Sequence, residues 1–308
     1  MTSAEYSAPV FSFVQEQHIT KDPTINLAIG PSCPVRCEGC YNHFGDTVLY
    51  GGIITADEVL DFADAAVSEG ITQATLSCGD PLFHPEIVSI LDGLKAKDLT
   101  VKLDTVGTLF LDNAPIIFKG KGLARRVSVD DIAQSVDYVN IPLDGASQPT
   151  VNRFRKGRPN LFNETRLVAG LLRDAGISFG YNTVANKSNL QELADIQATA
   201  IEDKATEWQV FEYDPTGPNP SRQKSLLALG EGQFEEYTRQ LVTLHSDLKI
   251  TCKSLSARSG VYFLIDDSGQ AWKPAHAGSK QELGHITLDR ENVITALHEH
   301  IKQFRSPE

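Results

Sequence analysis

Cys33, Cys37 and Cys40 fall within one short stretch, CPVRCEGCYN. Their spacing is C-x3-C-x2-C, and Tyr41 follows the last thiol directly. Three thiolates on one loop can hold three corners of a cubic iron–sulfur cluster and leave the fourth iron without a protein ligand. An open coordination position is where a metal centre does chemistry. A structural zinc site is the competing use, because His43 could complete a Cys3His set. Zinc ligands more often come as two separated pairs, and the chain has no second C-x2-C.

The elements that must position this loop alternate between strand and helix. INLAIG (25–30) reads as a buried strand that ends in the cysteine loop. Thr55 and Glu58 form a capping box that opens a helix with Val59, Phe62, Ala63 and Ala66 on one face and Gly70 at its stop. QATLSC (73–78), TVKLDT (100–105), YVNIPLD (138–144), ISFGYNTV (177–184) and EWQVFEY (207–213) are the following strands. Ile87, Ile90, Leu91 and Leu94 mark a helix between the second and third. Val168, Leu171, Leu172 and Ala175 mark another, stopped by Gly176. This alternation implies a parallel sheet with right-handed crossovers, hence an α/β fold. Six units suggest an open, partial (β/α)6 barrel, whose active site lies at the C-terminal strand ends.

The expected organisation is an N-terminal segment (1–24), a barrel core (25–223) and a C-terminal extension (224–308) capping the barrel mouth. The extension carries a helix with Phe234, Tyr237, Leu241 and Leu244 in phase. A hairpin follows, VYFLID and QAWKP about a DSG turn.

The chain has 308 residues and a net charge of −12, which argues against a nucleic-acid phosphate backbone as partner and is compatible with a small cationic substrate. No apolar run is long enough to span a membrane, and the start shows no signal-peptide pattern. Five cysteines, three of them clustered, do not read as a disulfide framework. A reducing cytoplasm is the expected location, with no membrane partner.

In order and spacing these pieces resemble the radical S-adenosylmethionine (SAM) superfamily. Ser77-Cys78-Gly79-Asp80-Pro81 resembles its Gly-Gly-Glu-Pro segment, with Cys78 at the first glycine and Asp80 at the glutamate. Asp104-Thr105-Val106-Gly107 resembles the Thr-Asn-Gly segment without its asparagine. Leu143-Asp144-Gly145 resembles the Ser-Leu-Asp-Gly strand end, followed at the usual interval by Arg155. The resemblance implies a 4Fe–4S cluster on Cys33, Cys37 and Cys40, with SAM on the open iron. It implies SAM contacts from Tyr41, Asn42, Gly79, Asp80, Pro81, Thr105, Asp144, Arg155, Asn182 and Val210. It also implies reductive cleavage of SAM to a 5′-deoxyadenosyl radical, with a flavodoxin or ferredoxin as electron donor.

Beyond the triad only Cys78 and Cys252 remain, too few for a second cluster. A substrate radical must then be quenched in another way, and the Cys252 thiol is the expected hydrogen donor. Return of hydrogen to the opposite face inverts the carbon. In size, single cluster and lone C-terminal cysteine the chain resembles the radical SAM epimerases of aminoglycoside biosynthesis, which implies a small cationic aminoglycoside substrate. Glu212, Asp214, Asp266 and Asp267 are the expected holders of its ammonium groups. Cys78 reads as structural, and His298 and His300 as solvated helix residues. A glycyl-radical activase, a radical dehydratase or dehydrogenase of a small sugar, and a zinc-stabilised binding protein remain open alternatives.

Overall fold

The computed structural model describes residues 22–40, 53–112, 119–120, 126–216, 218–241, 247–275 and 280–303. Tyr41, Asn42, His43 and Leu244, and all of the N-terminal segment before Asp22, lie outside the described residues.

Strand β1 (Thr24–Ala28) leads into the cysteine loop. Helix α1 (Ala56–Ser68) begins at the expected capping box: Thr55 Oγ1 accepts from Glu58 N at 3.3 Å, and the Glu58 carboxylate accepts from Thr55 N at 2.9 Å. Val59, Phe62, Ala63 and Ala66 are all buried, and Gly70 takes a φ of 95° just past the helix. Then come β2 (Gln73–Leu76), α2 (Ile87–Lys95), β3 (Thr100–Asp104) and β4 (Tyr138–Pro142). A short helix α3 (Gln148–Phe154) precedes α4 (Leu161–Asp174) and β5 (Phe179–Ala185). Helix α4 buries Leu161, Thr165, Val168, Ala169 and Leu172, a single stripe at helical spacing. Leu171, expected on that stripe, falls to its side and is exposed. Helix α5 (Leu193–Glu202) and β6 (Glu207–Glu212) complete the sixth unit.

The extension contributes α6 (Gln233–Arg239), β7 (Lys249–Lys253), β8 (Leu264–Asp266), β9 (Gln270–Pro274), β10 (Lys280–His285) and α7 (Arg290–Lys302). Its strands enter the same sheet as the core. Among the described residues the order is β7-β6-β5-β4-β3-β2-β1-β8-β9-β10. The first eight run parallel, and β9 and β10 complete an antiparallel hairpin edge. The extension thus flanks the six core strands on both sides.

Residues 254–263 alone connect β7 at one end of the parallel set to β8 at the other. Seven strand spacings on a flat sheet would cover about 34 Å. Ten residues reach that far only near full extension, roughly 36 Å. This segment contains turns, so the sheet must curl and bring its flanks together. The result is an open, barrel-like α/β fold.

The two faces of the sheet differ chemically. Ile25, Leu76, Leu103, Ile141, Trp208 and their neighbours point toward the helices and form the main apolar core. Residues on the opposite, inner face are polar and mostly half-buried: Asn26, Lys102, Asp104, Asn182, Gln209 and Lys253. A parallel sheet covered on both faces is ordinarily apolar on both. A polar inner face lines a space that admits solvent and ligand.

Candidate active site

The cysteine loop is strapped down at two points. Ser32–Cys33 pairs antiparallel with Lys119–Gly120, and Arg36–Cys37 pairs antiparallel with Arg155–Lys156. Gly39 is left-handed at φ 72°, and a Cβ there would lie 2.1 Å from the Tyr213 hydroxyl, so the loop rests directly on that ring. Cys33 is buried among Val35, Val106, Val151 and Leu161. Burial, then the charges of Cys37 and Asp80, push its thiol well above the ordinary range. Burial also pushes Cys37 up, against the opposing pull of Arg155. Thiolates here need a compensating positive charge, which iron supplies. Among the described residues no three His, Cys, Asp or Glu side chains converge on a single ion. A cubic cluster, in which each thiolate takes its own iron, needs no such convergence; a mononuclear zinc does. The loop therefore fits the cluster.

Beside it lies the turn after β2. Cys78 and Gly79 are both left-handed, at φ 62° and 69°. A non-glycine there costs roughly 1–2 kcal/mol, which is why the related motif has glycine at this position. Gly30 N donates to the Cys78 carbonyl at 3.1 Å, and a Cβ on Gly30 would come within 2.4 Å of that oxygen. Loop and turn are thus in backbone contact.

Asp80 faces inward. Its carboxylate accepts from Thr105 Oγ1 at 2.6 Å, Leu82 N at 3.2 Å and Val106 N at 3.1 Å. Burial raises its pKa to about 6, against those hydrogen bonds. Thr105 Oγ1 in turn accepts from Gly107 N at 2.9 Å. Asp80 and Thr105 brace the two turns against each other, and Pro81 opens a buried helical turn. Arg155 is ion-paired through Nε to Asp144 Oδ2 and donates through Nη1 to Cys37 Sγ at 3.2 Å. Asp144 Oδ1 accepts from Val184 N at 2.7 Å. Asn182 Oδ1 is buried and has no hydrogen-bond partner among the described residues.

The Radical SAM superfamily model matches residues 27–199. The chain belongs to the radical SAM superfamily. It is 25% identical to an AdoMet-dependent heme synthase of Nitratidesulfovibrio vulgaris, over 90% of this chain and 79% of that one. It is 24% identical to an S-adenosylmethionine-dependent nucleotide dehydratase of Lacinutrix mariniflava, over 88% of this chain and 54% of that one. In fold it is similar to Streptococcus suis SuiB bound to precursor peptide SuiA, at TM-score 0.67 and 13% identity, covering 93% of this chain and 67% of the other. It is likewise similar to anSMEcpe with bound AdoMet, at TM-score 0.60 and 13% identity, covering 91% and 82%.

Membership in the radical SAM superfamily implies a 4Fe–4S cluster and SAM. Other expected residues occupy places that the sequence did not show. Cys252 is in register with Val210, and both lie in the helix-side core with Trp208 and Ile250. Their strand neighbours Gln209 and Lys253 take the inner face. The expected position of Cys252 facing a substrate, and of Val210 facing SAM, is therefore corrected: the sheet lies between these side chains and the inner face.

The four residues expected to hold ammonium groups are spread over strand ends and turns. Asp266 Oδ1 accepts from Ser268 N at 3.0 Å, Ser268 Oγ at 2.7 Å and Gln270 N at 3.1 Å, which builds the hairpin turn. Asp214 Oδ1 accepts from Thr216 N at 2.9 Å. Glu212 Oε2 accepts from Leu255 N at 2.8 Å, anchoring the 254–263 segment. Asp267 accepts through its carbonyl from Ile54 N at 2.9 Å. His300, expected in solvent, is buried against the Phe263 ring at 5.7 Å, while His298 pairs with Glu69 at 2.6 Å.

The inner face brings together residues that sequence reasoning missed. Lys253 Nζ donates to Gln209 Oε1 at 2.5 Å, Gln209 Nε2 reaches Asn140 Oδ1 at 3.5 Å, and Asn140 Nδ2 donates to Asp104 Oδ1 at 2.8 Å. Burial raises Asp104 and lowers Lys253 to about 8. Cys78 and Tyr262 pack against Ala28, Leu264 and Trp272 on this face. The signal was present as a polar residue at every second position of TVKLD and KITCK, and as Asn140 within YVNIP.

Proposed function

We propose that this enzyme abstracts a hydrogen atom from a carbon of a small polar substrate on the inner face of the sheet, and that a thiol quenches the resulting radical with inversion. When bound, the cluster and SAM supply the 5′-deoxyadenosyl radical that accepts the hydrogen. The observation that carries the reading is the place of Cys78. Its side chain, like that of Tyr262, packs against Ala28, Leu264 and Trp272 on the inner face, in the turn that touches the cysteine loop. Inversion requires the substrate carbon to lie between this thiol and the radical. The Cys78 S–H bond breaks, its hydrogen atom goes to the substrate carbon, and a thiyl radical remains. One electron from an external reductant of the flavodoxin or ferredoxin class and one proton from solvent restore the thiol.

The finer form of this reading is an aminoglycoside inversion of the neomycin C to neomycin B type, as in neomycin C epimerase. Its support is the sequence resemblance. The inner face adds Asp104 as a carboxylate, while the carboxylates of Glu212, Asp214 and Asp266 serve turns and the crossing segment.

A second reading is dehydration of the substrate radical, favoured by the similarity to a nucleotide dehydratase and by the helix-side position of Cys252. Product mass separates the two. Reconstituted enzyme is incubated with SAM, dithionite and neomycin C or other candidate substrates in deuterated buffer. A product heavier by one deuterium, with 5′-deoxyadenosine formed in step, supports inversion by an exchangeable thiol. A product lacking one water supports dehydration and removes the role of Cys78.

A further inference from the structure

In an acidic chain, two cations on the inner face stand without a carboxylate partner. Neither Lys253 nor Arg258 makes an ion pair among the described residues. Both lie over one aromatic ring: Lys253 Nζ is 4.9 Å and Arg258 Cζ 5.9 Å from the centroid of Phe211. Arg258 Nη2 donates to the Glu212 carbonyl at 2.5 Å, which fixes the guanidinium. Its Nε is buried and has no acceptor among the described residues.

Nearby acids do not discharge these cations. Asp104 is separated from Lys253 by the Gln209–Asn140 relay and already accepts from Asn140. Glu207 accepts from Thr251 Oγ1 at 2.9 Å and pairs with Lys249 at 3.2 Å. Two like charges gathered at one ring repel each other and lose hydration, and buried charges are ordinarily paired. A fixed guanidinium with a spare N–H beside an ammonium is the donor set that a carboxylate or phosphate takes. Tyr262, which lies within electrostatic reach of Arg258, packs with Cys78 against Ala28, Leu264 and Trp272, so Arg258 and the thiol border one space.

We infer that the substrate carries an oxyanion, a carboxylate or a phosphate, and that Lys253 and Arg258 hold it on the inner face. Calling this ligand the substrate rests on the hydrogen-abstraction reading above and stands against its aminoglycoside form, whose ammonium groups these two cations would repel. The anion fixes the orientation of the carbon presented to Cys78.

The test uses full-length enzyme reconstituted with its cluster and saturated with SAM, so that the SAM carboxylate is already placed. Binding of inorganic pyrophosphate is followed by phosphorus NMR line broadening, and of succinate by carbon NMR. Lys253→Gln and Arg258→Gln should each weaken the tighter anion by at least about tenfold. Arg258→Lys, which keeps the charge, should lose less, and exposed Lys302→Gln should lose nothing. Melting curves confirm that each variant is folded. Tighter pyrophosphate assigns a phosphate, and tighter succinate a carboxylate. Absence of binding to the unmodified enzyme, or equal binding by the two glutamine variants, overturns the inference. Reductive SAM cleavage by the same sample is scored separately: if it persists while anion binding fails, the radical chemistry stands and only the substrate class falls.

Discussion

Arg155 joins the cysteine loop to the end of β4, with Nη1 3.2 Å from Cys37 Sγ and Nε on the Asp144 carboxylate. A cationic donor on a cluster thiolate stabilises the more negative, reduced state. Arg155→Gln should therefore move the cluster potential to a more negative value in an EPR-monitored titration. It should also leave Asp144 buried without its charge partner, at a cost of about 3–5 kcal/mol in stability. Adding Asp144→Asn should recover part of the stability and, by removing a negative charge that acts on Cys37, part of the potential. A potential unchanged in the single variant would remove the tuning role.

The two remaining cysteines should behave differently. Cys252→Ala is expected to cost about 1 kcal/mol of packing and leave deuterium incorporation intact. Cys78→Gly is expected to relieve the left-handed strain, stabilise by about 1 kcal/mol, still cleave SAM, and deliver no deuterium to the substrate. The opposite pattern in the product mass spectrum would return the donor role to Cys252.

Anion affinity should depend on pH through Lys253. Its ammonium is held down to about 8 by burial, with Glu207 and Asp104 pulling up and Lys102 and Arg258 pushing down. Gln209 and Phe211 complete its surroundings. Affinity for pyrophosphate is expected to fall as pH rises through about 8. In Lys253→Met the same titration should be weak and flat.

His300 should make stability fall in acid. Burial, then Lys273, lowers its pKa from 6.5 to about 4, against a hydrogen bond with the Val261 backbone. The folded state binds its proton less tightly than the unfolded chain. The stabilisation is complete above about pH 6.5 and disappears as pH falls toward 4, up to about 3 kcal/mol. His300→Gln should flatten urea midpoints over that window.

Much of the core was legible because its signals are local. The Thr55–Glu58 box, the stripe of α1 and the strand segments through Glu212 depend on spacing within a few residues. What lies between distant segments was not legible. KITCK reads as a strand, but whether Cys252 or Lys253 faces inward is decided by pairing with β6, which no local pattern states. The same holds for Arg258 and Tyr262, brought to the inner face by a turn-rich segment with no periodicity. Asp266 and Asp214 looked available as carboxylates because a turn that consumes its own aspartate shows only in hydrogen bonds.

Placing β8 against β1 also sets an order of events in folding. Asn26 donates to the Phe263 carbonyl across 237 residues of chain. During synthesis the first strand, and the cysteine loop beside it, wait with one edge unpaired until the C-terminal part emerges. Such long-range closure is slow, and an open apolar edge invites pairing with other chains. A chain cut after β7 keeps the cysteine triad, Cys78 and Lys253 but loses Arg258, and that edge is left permanently open, so aggregation is expected before any defect in chemistry can be read.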